Sequence, residues 1–219
     1  MIRGVIFDMD GVVIDSGEAI YNSWNSIFED SFGITLPREK VALQLGKSPK
    51  DFTQYFIDKY KLKIANQELN DKVTKKHDET IFLMELKPGI KELLIKLKGK
   101  YKTALATGAS KKHALYYLRK FEIENYFDYI VAGDEVKEAK PSPEIFLKAA
   151  ENLNLKPEEC IVIEDAILGI TAAKRAGIKV ISIPDKFTEL QDHSIADMHL
   201  KSLLEVNENV IKQLGEKHG

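Results

Sequence analysis

Gly4-Val5-Ile6-Phe7-Asp8-Met9-Asp10-Gly11 decides the fold. An apolar run over residues 2–7 stops abruptly at two acidic residues and a glycine. Such a run, too short for a helix and without polar alternation, predicts a strand buried on both faces. The acids then stand at its carboxyl end, where open parallel sheets bind their ligands.

The rest of the chain supplies the partners that such a strand needs. Residues 103–107, 129–132, 160–164 and 179–183 read as further short strands. Amphipathic stretches separate them: Ile90, Leu93, Leu94 and Leu97; then Leu115 and Leu118; then a helix opened by Ser142 as cap and Pro143 as first residue; then 166–176, stopped by Gly177. Strands alternating with helices predict right-handed βαβ units, hence an α/β, Rossmann-like parallel sheet with helices on both faces. Residues 15–86 break this rhythm. Ile20, Trp24, Ile27 and Phe28 fall on one helix face, a second helix starts at Ser48-Pro49, and a third is expected over 66–84. The predicted organisation is a core of 1–14 and 87–219 with a helical cap domain, 15–86, inserted after the first strand.

Composition narrows the class. The 219 residues are 44% hydrophobic and 30% charged, which suits a folded core and excludes fibrous or disordered classes. A net charge of −2, from 32 basic and 34 acidic residues, calls for no polyanionic partner, so nucleic acid is not expected. No apolar run reaches membrane-spanning length, and Met1-Ile2-Arg3 leads directly into the first strand, so neither a membrane nor a secretory signal is expected. The one cysteine, Cys160, excludes a disulfide framework and reads as an inert core thiol. These features predict a cytoplasmic protein, a monomer or small homo-oligomer.

Polar groups gather at four strand ends: Asp8 and Asp10; Thr107 and Gly108; Lys140; and Glu164 with Asp165. Clustered carboxylates repel one another unless a cation sits among them, and an all-oxygen set without His or Cys points to Mg²⁺ rather than zinc. Lysine and threonine beside such an ion suit a phosphoryl group. An aspartate there can attack phosphorus, and a second carboxyl two residues on can protonate the leaving oxygen and then activate water. The five histidines show no ligand spacing and read as structural or surface residues; Trp24 reads as core of the helical block.

Four segments together carry a resemblance. Phe7-Asp8-Met9-Asp10-Gly11-Val12-Val13-Ile14-Asp15-Ser16, Ala106-Thr107-Gly108, Lys140-Pro141-Ser142-Pro143-Glu144-Ile145-Phe146 and Ile163-Glu164-Asp165 resemble, in order, the four motifs of the haloacid dehalogenase superfamily. The insertion after the first is similar to that of the helical-cap subgroup, which includes sugar-phosphate phosphatases and β-phosphoglucomutase. The resemblance implies Asp8 as nucleophile and metal ligand. It implies Asp10 as general acid/base, ligating metal through its backbone carbonyl. Thr107 and the Gly108 amide would hold phosphoryl oxygens, and Lys140 would neutralise charge beside Asp8. Asp165 would ligate Mg²⁺, with Glu164 doing so directly or through water. Asp10 argues against the dehalogenase branch, which lacks an acid there.

Substrate choice falls to the cap, where Ser16, Ile20, Lys47, Lys50 and Lys76 are the expected contacts. β-Phosphoglucomutase-like chains carry histidine at the position of Ile20 and arginine at that of Pro49; proline cannot hold a second phosphate. The reading is a Mg²⁺-dependent phosphatase acting on a small phosphorylated metabolite through an aspartyl-phosphate. A phosphomutase and a phosphate-binding module without turnover stand as alternatives.

Overall fold

The computed structural model describes residues 1–216, apart from the side chain of residue 81. The chain runs β1 (Gly4–Phe7), β2 (Ile14–Asp15), α1 (Gly17–Phe32), α2 (Arg38–Ala42), α3 (Pro49–Tyr60), α4 (Asn66–Asp78), β3 (Glu85–Leu86) and α5 (Ile90–Leu97). It continues with β4 (Lys102–Ala106), α6 (Lys111–Lys120), β5 (Tyr129–Val131), α7 (Glu144–Asn152), β6 (Cys160–Glu164), α8 (Ile167–Arg175), β7 (Lys179–Ser182), β8 (Met198–His199) and α9 (Glu208–Glu216). Six strands form one parallel sheet in the order β5-β4-β1-β6-β7-β8. β1 is central, with Phe7 beside Leu105 of β4 and Ile163 of β6. It is the topological centre because the chain builds outward to β5 on one side, then returns to lay β6, β7 and β8 on the other. The fold is the expected α/β one.

The alternation of side chains along β1 splits the interior into two layers. Val5 and Phe7 join one apolar cluster with Leu93, Leu118 and Ile163; Ile6 joins another with Phe146, Val162 and Ile170. The four helices between β2 and β3 pack around a third cluster, in which Trp24 lies parallel to Phe52 with ring centroids 4.5 Å apart. That cluster confirms Trp24 as apolar core.

The structure corrects four details. α4 ends at Asp78, well short of residue 84. A short 3₁₀ turn follows, and the chain then straightens into β3, which pairs antiparallel with β2 (Ile14 opposite Leu86). The segment expected to be helical, 15–86, therefore contributes to a two-stranded ribbon at the point where the helical block leaves and rejoins the sheet. α7 starts at Glu144 rather than Pro143, which itself takes the cap position. α2, β8 and α9 were not anticipated; each is short or presents few apolar positions.

Cys160 begins β6 and is fully buried. Burial, followed by the charges of Glu159 and Glu158, pushes its thiol up to about 12. Since the thiolate is the reactive form, the folded protein is expected to resist iodoacetamide at pH 8. One equivalent should react once the chain is unfolded in urea, as peptide mass spectrometry would show. Among the described residues, no helix is long and apolar enough to cross a membrane.

Candidate active site

The carboxyl ends of β1, β4, β6 and β7 open into a cavity of about 470 Å³ roofed by α1, α3 and α4. Asp8 follows β1, and its N–H still donates to Ile163 O at 3.0 Å, so the ladder to β6 fixes the residue's backbone. Asp10 lines the cavity two residues on. The turn between them and β2 depends on Gly11, which has φ +82°; a Cβ there would lie 2.1 Å from an Asp165 oxygen. Glycine supplies both the left-handed backbone and the close approach.

Lys140 reaches in from the loop before α7. Its buried ammonium donates to Asp8 Oδ1 at 2.5 Å and to Glu164 Oε1 at 2.8 Å, 4.9 Å from the centroid of the Phe146 ring. Glu164 Oε2 accepts the N–H groups of Asp165 and Ala166, both at 2.7 Å. Asp165 Oδ2 accepts from the Thr188 hydroxyl at 3.1 Å. Asp8, Glu164 and Asp165 each offer an oxygen within 4.8 Å of the others. Three buried carboxylates thus face one ammonium.

The electrostatics follow from that imbalance. Burial, with repulsion from Glu164 and Asp10, lifts the Asp8 carboxyl to about 8 against the attraction of Lys140. Burial also lifts Asp165 well above the carboxylate range, with Glu164, Asp8 and Asp185 adding to it. Burial opposes the Lys140 ammonium, but Asp8 and Glu164 together outweigh it and hold the charge. An oxygen-only set with excess negative charge fits a hard divalent cation. Asp10 stands outside the three-carboxylate group and lines the same cavity.

Gly169 of α8 makes room for this arrangement. A Cβ there would stand 1.5 Å from Glu164 Oε1. Gly169→Ala is expected to push Glu164 off Lys140. Overpacking costs about 1–3 kcal/mol, so thermal melting should show a Tm lowered by roughly 2–12 °C.

The other expected site residues divide. Thr107 is buried, and its Oγ1 accepts Ala109 N–H at 3.0 Å, which leaves its own hydroxyl proton free to donate. Gly108, Ser16 and Lys47 line the cavity; Lys47 Nζ is held by Gln44 Oε1 at 2.6 Å. Lys50 and Lys76 do not line it, and Lys76 pairs instead with Glu79 at 3.1 Å. The helical period explains the miss. Asn70, Val73, Thr74 and His77 form the stripe of α4 that faces the cavity, and Lys76 lies one residue off it.

Three titratable cavity residues lay outside the sequence expectation. His77 and His113, read from the sequence as structural or surface groups, both line it, with ring centroids 6.5 Å apart. Burial pulls His77 below its ordinary value, while Asp10 opposes, His113 adds and Asp78 opposes. His113 Nε2 lies 2.9 Å from Asp78 Oδ1 and so joins α6 to the end of α4. The third is Asp185, just beyond β7, which the strand-end rule would have found had it been carried to that strand. His193 bonds Ser182 and Thr188 O and is structural as expected, while His218 lies outside the described residues.

A family model described as haloacid dehalogenase-like hydrolase matches residues 5–183, and so takes in all four motif segments. The chain belongs to that family. A phosphorylated carbohydrates phosphatase of Thermotoga maritima is 33% identical over 220 aligned residues, 96% of this chain and 100% of the relative. A β-phosphoglucomutase of Clostridium difficile superposes with a TM-score of 0.84 at 26% identity, covering 98% of this chain and 97% of that one. CbbY of Rhodobacter sphaeroides, solved with xylulose-(1,5)bisphosphate, gives a TM-score of 0.83 at 28% identity, covering 94% and 97%. The chain is thus a haloacid dehalogenase-like hydrolase whose relatives include phosphatases.

Proposed function

We propose that this hydrolase is a phosphatase for small phosphomonoesters, with Asp8 as the attacking group. The single observation that carries the reading is the buried Asp8–Lys140–Glu164 arrangement at the centre of the sheet edge, with Asp10 facing the same cavity. Its setting in a family whose relatives are named phosphatases points the same way.

Asp8, Glu164 and Asp165, with the backbone carbonyl of Asp10, would hold a divalent cation, most simply Mg²⁺. Bound there, such an ion would offset the carboxylate repulsion and polarise the phosphoryl oxygens. The chain's own groups carry the rest. Asp8 attacks phosphorus and the ester bond breaks, giving an aspartyl-phosphate and an alcohol. Asp10 gives its proton to the leaving oxygen, then takes one from the water that hydrolyses the acyl phosphate. Lys140 keeps the charge near Asp8 balanced, and Glu164, fixed by two backbone amides, keeps Lys140 in place. The Thr107 hydroxyl and the Gly108 amide hold phosphoryl oxygens. Residues 15–86 act as the cap domain over the core formed by 1–14 and 87–219, excluding water during transfer.

Hydrolysis is favoured over mutase chemistry because a mutase needs a firm second phosphate site. Among the described residues, Lys47 is the one lysine or arginine of the helical block that lines the cavity, and Gln44 already engages it. The test is phosphate release from a panel of small phosphomonoesters with Mg²⁺ or with EDTA. Release that requires the metal supports the reading. Transfer of phosphate to sugar phosphates outpacing release would replace it with the mutase.

A further inference from the structure

The turn after β7 carries a buried hydroxyl that the proposed mechanism does not use. Thr188 is 0% exposed and does not line the cavity, so it stands outside the space that a substrate takes. Its Oγ1 accepts Asp185 N–H at 3.0 Å. Its own proton has two oxygens in reach, Asp165 Oδ2 at 3.1 Å and Asp185 Oδ1 at 3.4 Å. Asp185 Oδ1 already accepts the N–H groups of Phe187 at 2.7 Å and Thr188 at 3.1 Å. The shorter contact, to the less satisfied oxygen, takes the proton, so Thr188 donates to Asp165. Among the described residues, it is the one group that donates a hydrogen bond to that carboxylate.

The hydroxyl has little freedom to move. Phe187, one residue earlier, is buried in the apolar cluster of the helical block with Tyr21 and Phe28. Gly17 makes room for it, since a Cβ there would lie 2.5 Å from the Phe187 ring. Thr188 O accepts from His193 Nε2 at 2.7 Å. Three residues on, Gln191 donates to Ala42 O at 3.0 Å and accepts Ile167 N–H at 2.7 Å, which ties the segment to both the helical block and α8. Asp165, by contrast, lies among the like charges of Glu164, Asp8 and Asp185 and would turn away from them if left unheld. A donor on one oxygen fixes the carboxylate plane and leaves the remaining lone pairs for a cation.

We propose that Thr188 is a positioning residue for the cation: its hydroxyl holds the Asp165 carboxylate in the orientation that binds the metal. This rests on the divalent-cation site of the phosphatase reading and adds to it a residue that touches neither metal nor substrate.

The experiment titrates Mg²⁺ into substrate-free wild type, Thr188→Val and Thr188→Ser. Binding is read from the rise in Tm that a ligand of the folded state produces. The Mg²⁺ concentration for half-maximal phosphate release is measured beside it. Valine keeps the shape and removes the donor. Thr188→Val should shift both Mg²⁺ curves to higher concentration by about 10–100-fold, the scale on which losing such a partner weakens a metal site. Thr188→Ser keeps the hydroxyl and should restore most of the shift. A Thr188→Val response to Mg²⁺ that matches wild type, even with a lowered metal-free Tm, would make Thr188 a structural residue and overturn the proposal. A serine variant as impaired as the valine one would overturn it too. Both outcomes leave the phosphatase reading intact. A wild type whose Tm ignores Mg²⁺ and whose phosphate release persists in EDTA would instead overturn the cation site, and this inference with it.

Discussion

Asp8→Asn is expected to reduce phosphate release by on the order of 10⁴-fold or more, the scale on which loss of a nucleophile is felt. The protein should remain folded. Asparagine keeps the shape, and Lys140 retains its 2.8 Å bond to Glu164. One buried carboxylate disappears from a group that carries excess negative charge. Because burial raises the Asp8 carboxyl, its ionised form costs stability at neutral pH, and the variant should melt no lower than wild type. A steady-state assay with a melting curve on the same preparation separates the two effects. Lost activity at unchanged or higher Tm is the expected result; activity within tenfold of wild type would remove Asp8 from the chemistry.

Lys140→Met should give the largest change in stability. The methionine replaces the apolar stem but strands Asp8 and Glu164 without their shared cation. Breaking a buried ion pair from one side costs about 3–5 kcal/mol. At roughly 2–4 °C per kcal/mol for a chain of this size, Tm should fall by about 6–20 °C. The sign with pH follows from the shifts. The folded Lys140 ammonium titrates above its ordinary 10.5, so its contribution is complete at all lower pH. Asp8, left behind, titrates above the usual carboxylate range, as does Asp165 beside it, and both can take up protons on acidification. The Tm deficit of the variant should therefore be larger at pH 8 than at pH 5. A deficit that does not shrink on acidification would mean that lost packing, not unpaired charge, is the cause. Phosphate release should be lost as well, since the ammonium that balances charge beside Asp8 would be gone.

The sheet and its carboxylate edge were legible because they rest on local signals. β1, β4 and β6 are almost wholly buried, so their sequences are nearly continuous apolar runs that stop where the chain reaches the site. Asp8, Lys140 and the adjacent pair Glu164 and Asp165 lie far apart in sequence, yet each adjoins a readable element, and the parallel register brings them together. The roof was harder to read. Lys76 and His77 are neighbours in sequence, and only the packing of α4 on α1 and α3 decides which of them faces the cavity. The two-residue strands β2 and β3 are too short to show a period of two, and their pairing depends on closure of a long insertion. Apolar Phe82, Leu83 and Met84 extended the apparent helical pattern, although Phe82 and Leu83 are exposed. No residue pattern could show that the Ser16 hydroxyl forgoes its capping bond, which depends on the backbone angles at the entry to α1.

The most direct test of the central claim is to trap the covalent state. Enzyme turning over a phosphomonoester with Mg²⁺ would be quenched in acid and reduced with borohydride, which converts an aspartyl-phosphate to homoserine, and the peptide spanning Asp8 and Asp10 would be sequenced by mass spectrometry. Homoserine at position 8, with Asp10 unchanged and no conversion in the absence of substrate, is the expected result. An unmodified Asp8 in an enzyme that is demonstrably releasing phosphate, or homoserine at a different aspartate, would contradict the assignment of Asp8 as the nucleophile.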